Sequence, residues 1–306
     1  MDKVGSPTKV VLSGASGMLG TSLRRALAGR EEPVLQLVRR TPTVEGQLQW
    51  NPASSPVIAD PAPLEGSKAA IHLSGASVAG RRWTAAYRYE LTASRVGSTR
   101  ALALALAGIQ KPPQVLLVAS AVGIYGDRGN ELLSEASAPG EGFLADLCRA
   151  WEAAAQPAVK AGIRVVHLRF GVVLGPGHGA LEKMLPPFRL GLGGKLGNGR
   201  QWMSWISLAD AISGILQALD TPSMSGPVNL TSPNPVTNAE FTRALGRQLR
   251  RPAVLSVPAF ALRLAFGEMA KETLLASACA VPAKLESAGF QFAHPTVEEA
   301  LAAALK

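Results

Sequence analysis

The sequence predicts an α/β fold, a doubly wound parallel sheet with helices on both faces and an interleaved smaller C-terminal lobe. Short apolar runs recur at Val10 to Ser13, Pro33 to Val38, Lys68 to Ala76, Gln114 to Ala121, Ile163 to Val173 and Pro227 to Thr231. Longer helical stretches separate them, which is the alternation that builds parallel sheets. The first run also opens into a three-glycine turn followed by an amphipathic stretch, Thr21 to Ala28.

That turn, Ser13-Gly14-Ala15-Ser16-Gly17-Met18-Leu19-Gly20, reads as strand end, tight turn and helix start. Gly14 lets the chain reverse, Gly17 lets backbone approach a pyrophosphate, and Gly20 lets the helix lie close on the sheet. The first-turn N–H groups, around Ser16, Met18 and Leu19, have no intrahelical partners and favour an anion. Three glycines alone mean little among 31. Position gives them weight, since the next strand ends at Arg39-Arg40, about 20 residues on, where such folds read the adenosine ribose. An acidic residue there would accept from a 2′-hydroxyl, whereas guanidinium groups bind a 2′-phosphate. The expected cofactor is therefore NADP(H). A solvated arginine pair before Thr41-Pro42 is the plainer alternative.

After a Pro/Gly-punctuated region, Leu48 to Pro52 predicts a short strand closed by a turn, with Trp50 as a packing residue. The run from Lys68 predicts a buried strand that sets Leu73, Ser74 and Gly75 beside the cofactor, because ligands lie at the carboxyl ends of such strands. His72 lies inside this strand and reads as a satisfied core histidine. Thr84 is an N-cap for a long helix to Ala107, with Leu91, Arg95, Ser98, Thr99 and Leu102 on one face. Glu90 and Arg95 either reach the cofactor or form a solvated pair. Pro112-Pro113 then breaks the chain before a strand ending at Ala119-Ser120-Ala121-Val122-Gly123-Ile124-Tyr125-Gly126.

At this point the sequence resembles the extended short-chain dehydrogenase/reductases, relatives of the nucleotide-sugar epimerases and dehydratases. The residues carrying the resemblance are the three turn glycines, Leu73-Ser74-Gly75 and the Ser-Ala-x-x-x-Tyr-Gly pattern from Ser120 to Gly126. Arg81 to Thr84 with Ser94-Arg95, Arg169 to Gly175, Gly197 to Asp210 and Asn229 to Phe241 narrow it to the atypical branch labelled "epimerase family protein". The resemblance spans Val10 to Leu305 and implies a Rossmann-type fold. It also implies a Tyr-x-x-x-Lys acid/base pair on the following helix, and here the chain departs from it. With the helix aligned on Glu152, Leu144 and Cys148 stand at the two positions. Ser120 and Tyr125 remain as catalytic candidates, a phenol near the strand end being able to protonate a carbonyl. Cys148 is a weaker nucleophile candidate, with no histidine companion near it in sequence.

The resemblance further sets Val172 and Val173 against the nicotinamide. His178 follows in a glycine-rich loop, as a substrate contact or a solvated residue. Residues 178–204 hold Lys183, Arg189, Lys195 and Arg200, with Phe188, Trp202, Met203 and Trp205 forming an apolar wall. This is either a substrate pocket or interdomain packing. Asp210 would cap a helix from Ala211 to Leu219, Asn238 one from Ala239 to Leu249, and Pro258 begins a helical run to Met269. A last helix runs from Thr296 to Leu305. The division expected is 1–175 with 205–232 for the dinucleotide domain, and 176–204 with 233–306 for the smaller lobe.

Composition sets bounds. Hydrophobic content of 47% with 17% charged residues argues for a globular chain. The charge of +9 invites a nucleic-acid reading, but the basic residues are scattered and only 5% of the chain is aromatic, so an anionic small molecule explains it as well. No metal site is expected, since Cys148 and Cys279 have no ligand spacing. Two cysteines without a disulfide framework fit a reducing, cytoplasmic compartment. Residues 1–8 lack an apolar signal core, and no run of ~18 apolar residues predicts a membrane span. The expected function is an NADP(H)-dependent oxidoreductase or epimerase-like enzyme acting on a small molecule. Its alternative is a regulatory protein that senses NADP(H) without turnover. The oligomeric state is left open.

Overall fold

The computed structural model describes residues 9–177 and 179–306, so His178 and the first eight residues lie outside it. In chain order the first strands are β1 (Val10–Ser13), β2 (Val34–Val38), β3 (Gln47–Gln49), β4 (Ala69–His72), β5 (Val115–Ala121) and β6 (Arg164–Phe170). There follow β7 (Val172–Leu174), β8 (Gly194–Leu196), β9 (Trp205–Ser207), β10 (Gly226–Leu230) and β11 (Leu255–Val257). Seven of them form one sheet in the order β10-β6-β5-β4-β1-β2-β3, every pairing parallel. The order turns back at β1, and there the carboxyl ends of β1 and β4 open a crevice, the usual ligand position of a doubly wound sheet.

The helices that matter below are α1 (Met18–Ala28), α2 (Ala85–Thr92), α3 (Ser98–Ala107), α4 (Phe143–Ala153), α5 (Gly179–Arg189), α6 (Leu208–Asp220), α7 (Asn238–Leu249), α8 (Ala259–Phe266) and α9 (Val297–Ala304). Thr84 caps α2 by accepting from the Tyr87 N–H, and the predicted face of Leu91, Arg95, Ser98, Thr99 and Leu102 is buried. Between α2 and α3 one turn widens to a π-helix, Ala93–Gly97, which carries Arg95.

Several expectations are corrected. The strand expected from Ile163 to Val173 divides at Gly171, where a Cβ would lie 2.7 Å from the Ser204 carbonyl oxygen. The chain leaves the main sheet at that close approach, and β7 pairs with β9 instead. The cap of α6 is Ser207, while Asp210 sits inside the first turn and accepts from the Ser207 hydroxyl at 2.7 Å. Likewise Thr237 caps α7 in a reciprocal box with Glu240, and the Asn238 side chain accepts instead from the Leu196 N–H. The glycine-rich stretch after 178 contains α5, with Pro186 and Pro187 inside it.

The main core packs the sheet strands against flanking helices and includes Trp50, which meets His72 edge-on at 5.7 Å. A second core joins β7, α5, α7 and α9 around Phe188, Trp205 and Phe241. Phe188 and the fully buried Trp205 are thus packing residues rather than a pocket wall. Leu285, Phe290 and Phe292 return to the main core, so the chain after 233 serves both cores.

Candidate functional site

Gly14, at φ +74°, turns the chain after β1, and a Cβ there would lie 2.7 Å from the Leu73 carbonyl carbon. At Gly20 a Cβ would overlap the Gly14 carbonyl oxygen, so only glycine lets α1 start this close. Gly17 differs. Its Cβ direction meets only the Gly14 oxygen at 3.5 Å, leaving the approach to backbone open. As N-cap of α1 it supplies no side-chain acceptor, so the first-turn N–H groups around Met18 and Leu19 are left to a ligand. Ser16 is exposed beside them, and Met18 reaches across to Gly175, just past β7. This is an anion cradle at a helix start.

Arg39 and Arg40 lie just past the end of β2, both exposed, and neither has an ion pair among the described residues. Leu73 and Ser74 are half-buried at the end of β4 and Gly75 is exposed. Val172 and Val173 are half-buried in β7. The carboxyl edge of the sheet therefore gathers the glycines, Leu73 to Gly75 and the valines.

Glu90 and Arg95 do not pair. Glu90 is exposed and lies 3.4 Å from Arg81. Arg95 is only 8% exposed, donates to the Ala76 and Leu91 carbonyls at 2.8 and 3.4 Å, and stacks over Trp151 at 5.1 Å. Its guanidinium carbon is 3.4 Å from where a Gly75 Cβ would stand, and no carboxylate partner is found among the described residues. Burial lowers its pKa, yet guanidinium keeps its charge in proteins. A buried cation without a counter-anion is thus held at the carboxyl end of β4 by two carbonyl acceptors and an aromatic face alone.

The two catalytic candidates are held differently. Ser120 is 3% exposed and donates to Glu152 at 2.8 Å. Tyr125 is fully buried. Its hydroxyl lies 2.8 Å from Asn229 Oδ1 and accepts from Arg169 at 3.0 Å. Burial raises the phenol, against the pull of Arg169 and Asn229. This corrects Tyr125 as an acid, because its hydroxyl is enclosed by partners, with no opening to a substrate.

Both belong to a polar row that crosses three neighbouring strands. Ser120, Arg169 and Asn229 are in register on β5, β6 and β10, and Glu152 of α4 bridges the first two. Burial alone would lower Arg169, but the Glu152 carboxylate holds its pKa above the ordinary value. Asn229 extends the row through its N–H to Glu135 at 3.0 Å and its amide to the Val281 carbonyl at 2.9 Å. Nothing in the spacing of Glu152, Arg169 and Asn229 marks them as partners. The one signal is an arginine, Arg169, between Leu168 and Phe170 near the buried end of its strand.

On α4, Leu144 packs against Gly123, and Cys148 is buried with its thiol pushed up to about 12 by burial and by Glu152. The thiol is thus protonated and unreactive near neutral pH. His72 is a core residue, as expected, receiving a hydrogen bond from Ser13 at 2.6 Å. Among the described residues no group of three or more His, Cys, Asp or Glu could hold a metal, and no helix is long and apolar enough to cross a membrane.

A doubly wound parallel sheet with a glycine cradle at the point where strand order reverses defines a dinucleotide-binding type of α/β protein. The family model for the NAD dependent epimerase/dehydratase family matches residues 10–230, and a domain of unknown function, DUF1731, matches 257–304. The chain belongs to the NAD dependent epimerase/dehydratase family. It is 47% identical to an epimerase family protein of Mycobacterium bovis over 292 residues, 95% of this chain and 96% of that protein. With epimerase family protein YfhF of Bacillus subtilis it shares 36% over 95% of this chain and 96% of the relative. The crystal structure of human epimerase family protein SDR39U1 (isoform 2) with NADPH superposes with a TM-score of 0.88. It is 31% identical and covers 97% of this chain and 99% of its own.

Proposed function

We propose that this chain binds NADP(H) and acts on an unidentified small molecule as an oxidoreductase or epimerase-like enzyme in a reducing, cytoplasmic setting. The human relative crystallised with NADPH supports that cofactor, and the residues present fit it. The α1 start and the open side of Gly17 take the pyrophosphate. Arg39 and Arg40 take the 2′-phosphate. Leu73, Ser74 and Gly75 flank the dinucleotide, and Val172 and Val173 wall the nicotinamide. Glu90, turned to solvent with Arg81, is assigned no role. When bound, the cofactor gives or accepts hydride.

One observation carries the catalytic half of this reading, the buried Arg95 guanidinium without a carboxylate beside Gly75. A fixed cation there stabilises negative charge as it develops on a substrate oxygen, and it does so without a Tyr-x-x-x-Lys pair. Ser120 keeps a role only as a hydroxyl engaged by Glu152.

A second reading, a protein that senses NADP(H) without turnover, is favoured by the engaged Ser120, the enclosed Tyr125 and the neutral Cys148. One experiment separates them. NADPH and NADH are titrated by calorimetry, then loss of NADPH absorbance is followed against aldehydes, ketones and quinones. Turnover supports the enzyme. Tight NADPH binding with no turnover, together with an NADPH-dependent change in a protein interaction, supports the sensor. No heat and no thermal shift with NADPH would sink both.

A further inference from the structure

Lys183, an exposed residue in the second turn of α5, donates from its ammonium to the carbonyl of Ala79 in the loop that follows β4. Among the described residues this is the one hydrogen bond between α5 and that loop. Both ends are anchored. Ser94 accepts from the Ala76 N–H at 3.1 Å, the Tyr87 hydroxyl donates to the Ser77 carbonyl, and the Trp83 indole donates to the Val78 carbonyl at 2.9 Å. On the other side Leu181, Leu185 and Phe188 fix α5 in the second core. Between these two supports stands a flexible four-carbon stem ending in a charge. The same two supports adjoin the glycine cradle. Gly14 abuts the Leu73 and Ser74 backbone, while a Cβ on Gly175 or Gly179 would lie 3.0 Å from the Met18 sulfur or 3.5 Å from its methyl carbon. Gly14, Leu73, Ala79, Lys183, Gly179 and Met18 thus form a closed circuit of chain and contacts, with the start of α1 as one side and the lysine as the opposite side.

We propose that Lys183 closes over the pyrophosphate of bound NADP(H). Charge carries the argument. The cradle residues Gly14 to Leu19 include no cation, and Arg39 and Arg40 stand past β2, across β1 from β4. Arg95 is buried behind Gly75 and donates to the Ala76 and Leu91 carbonyls. Lys183 has no carboxylate partner among the described residues and gives its ammonium to a neutral carbonyl. Backbone N–H groups and a helix dipole favour an anion at the start of α1, and a mobile ammonium across the circuit adds a charge-assisted contact to it. Glu182, the exposed neighbour of Lys183, is the acidic residue on this turn of α5. The plainer role, a surface lysine that steadies a loop, would leave coenzyme affinity untouched. The inference rests on the cofactor reading above and needs nothing from the proposed chemistry.

The test is calorimetric titration of the full chain with NADPH, with adenosine 2′-monophosphate as a competitor that carries the 2′-phosphate but no pyrophosphate. Lys183→Met should weaken NADPH by about tenfold and leave the competitor's affinity unchanged. Lys183→Gln keeps a donor for the Ala79 carbonyl but not the charge, and it should lose as much as Lys183→Met. Lys183→Arg should stay within a few-fold of the parent. The gap between parent and Lys183→Met should narrow as salt rises. Unfolding midpoints without coenzyme show whether each variant is folded, and Lys183→Arg against Lys183→Gln decides the matter if the methionine variant is not. NADPH affinity unchanged in Lys183→Gln, equal losses in Lys183→Arg and Lys183→Gln, or a loss shared by adenosine 2′-monophosphate would each overturn the proposal. A parent that binds no NADPH would sink the cofactor reading along with it, whereas a parent that binds and variants that bind equally well would remove Lys183 alone.

Discussion

Glu152 holds the Arg169 guanidinium through two contacts, Nε to Oε1 at 2.8 Å and Nη2 to Oε2 at 2.9 Å. Their side chains keep 14% and 7% of their exposure, so this ion pair sits largely out of water. Breaking such a pair from one side leaves an uncompensated charge, costing roughly 3–5 kcal/mol, whereas apolar replacement of both partners is often neutral. Arg169→Met should therefore destabilise the fold by about that much in urea unfolding, and Glu152→Leu with Arg169→Met should recover most of it. If the single variant unfolds at the parent's midpoint, the row from Ser120 to Asn229 is not a structural tie.

His72 makes stability depend on pH. Ser98 directs its hydroxyl to the Ser94 carbonyl at 2.6 Å, so it accepts from His72 Nε2–H at 3.0 Å, and Ser13 donates to Nδ1. Neutral imidazole is thus the form the core accommodates, and burial lowers its pKa from 6.5 to about 4. Because the folded value is depressed, the unfolded chain takes up the proton first. The stabilisation is complete above pH 6.5 and lost as pH falls toward 4, roughly 3 kcal/mol in all at about 1.4 kcal/mol per unit. Urea unfolding of the parent and of His72→Gln across that window should show the parent losing its advantage. Parallel curves would remove His72 from the acid response.

The parallel strands are readable in the sequence because each is a short apolar run with a turn beside it, and the glycine cradle because tight backbone leaves no substitute at Gly14 and Gly20. Helix caps are less legible. Ser207 and Asp210, or Thr237 and Asn238, are all residues that cap, and only backbone geometry selects which one does. The polar row is not legible, since Ser120, Glu152, Arg169 and Asn229 come from four elements and meet only through sheet register. Arg95 is visible on the right helix face, but Glu90 stands five residues before it, off that face, and pairs with Arg81 instead, so the lack of a carboxylate beside Arg95 emerges only from the packing.

Cofactor choice rests on Arg39 and Arg40. Arg39→Asp replaces a cation that fits a 2′-phosphate with a group that repels it and accepts from a 2′-hydroxyl. Calorimetry should find NADPH weakened by about tenfold to a hundredfold, since a charge-assisted hydrogen bond is worth roughly 1.5–3 kcal/mol. NADH should change little. Equal losses for both coenzymes would place Arg39 away from the ribose phosphate.

Arg95 carries the sharpest test. Were it only a packing residue, holding the Ala76 carbonyl and covering Trp151, its loss would lower stability and leave the chemistry of the folded fraction unchanged. If its free donors face a substrate oxygen, the loss falls on the transition state. For whichever carbonyl compound consumes NADPH, Arg95→Gln should lower kcat by about 100- to 1000-fold, the size seen when one donor to a developing oxyanion is removed. NADPH affinity should stay within a few-fold of the parent. Arg95→Lys should recover part of the rate, because an ammonium keeps the charge but not the planar fork. The kcat and KM split is the discriminating measurement, since an effect confined to KM would mean that Arg95 binds substrate and transition state alike.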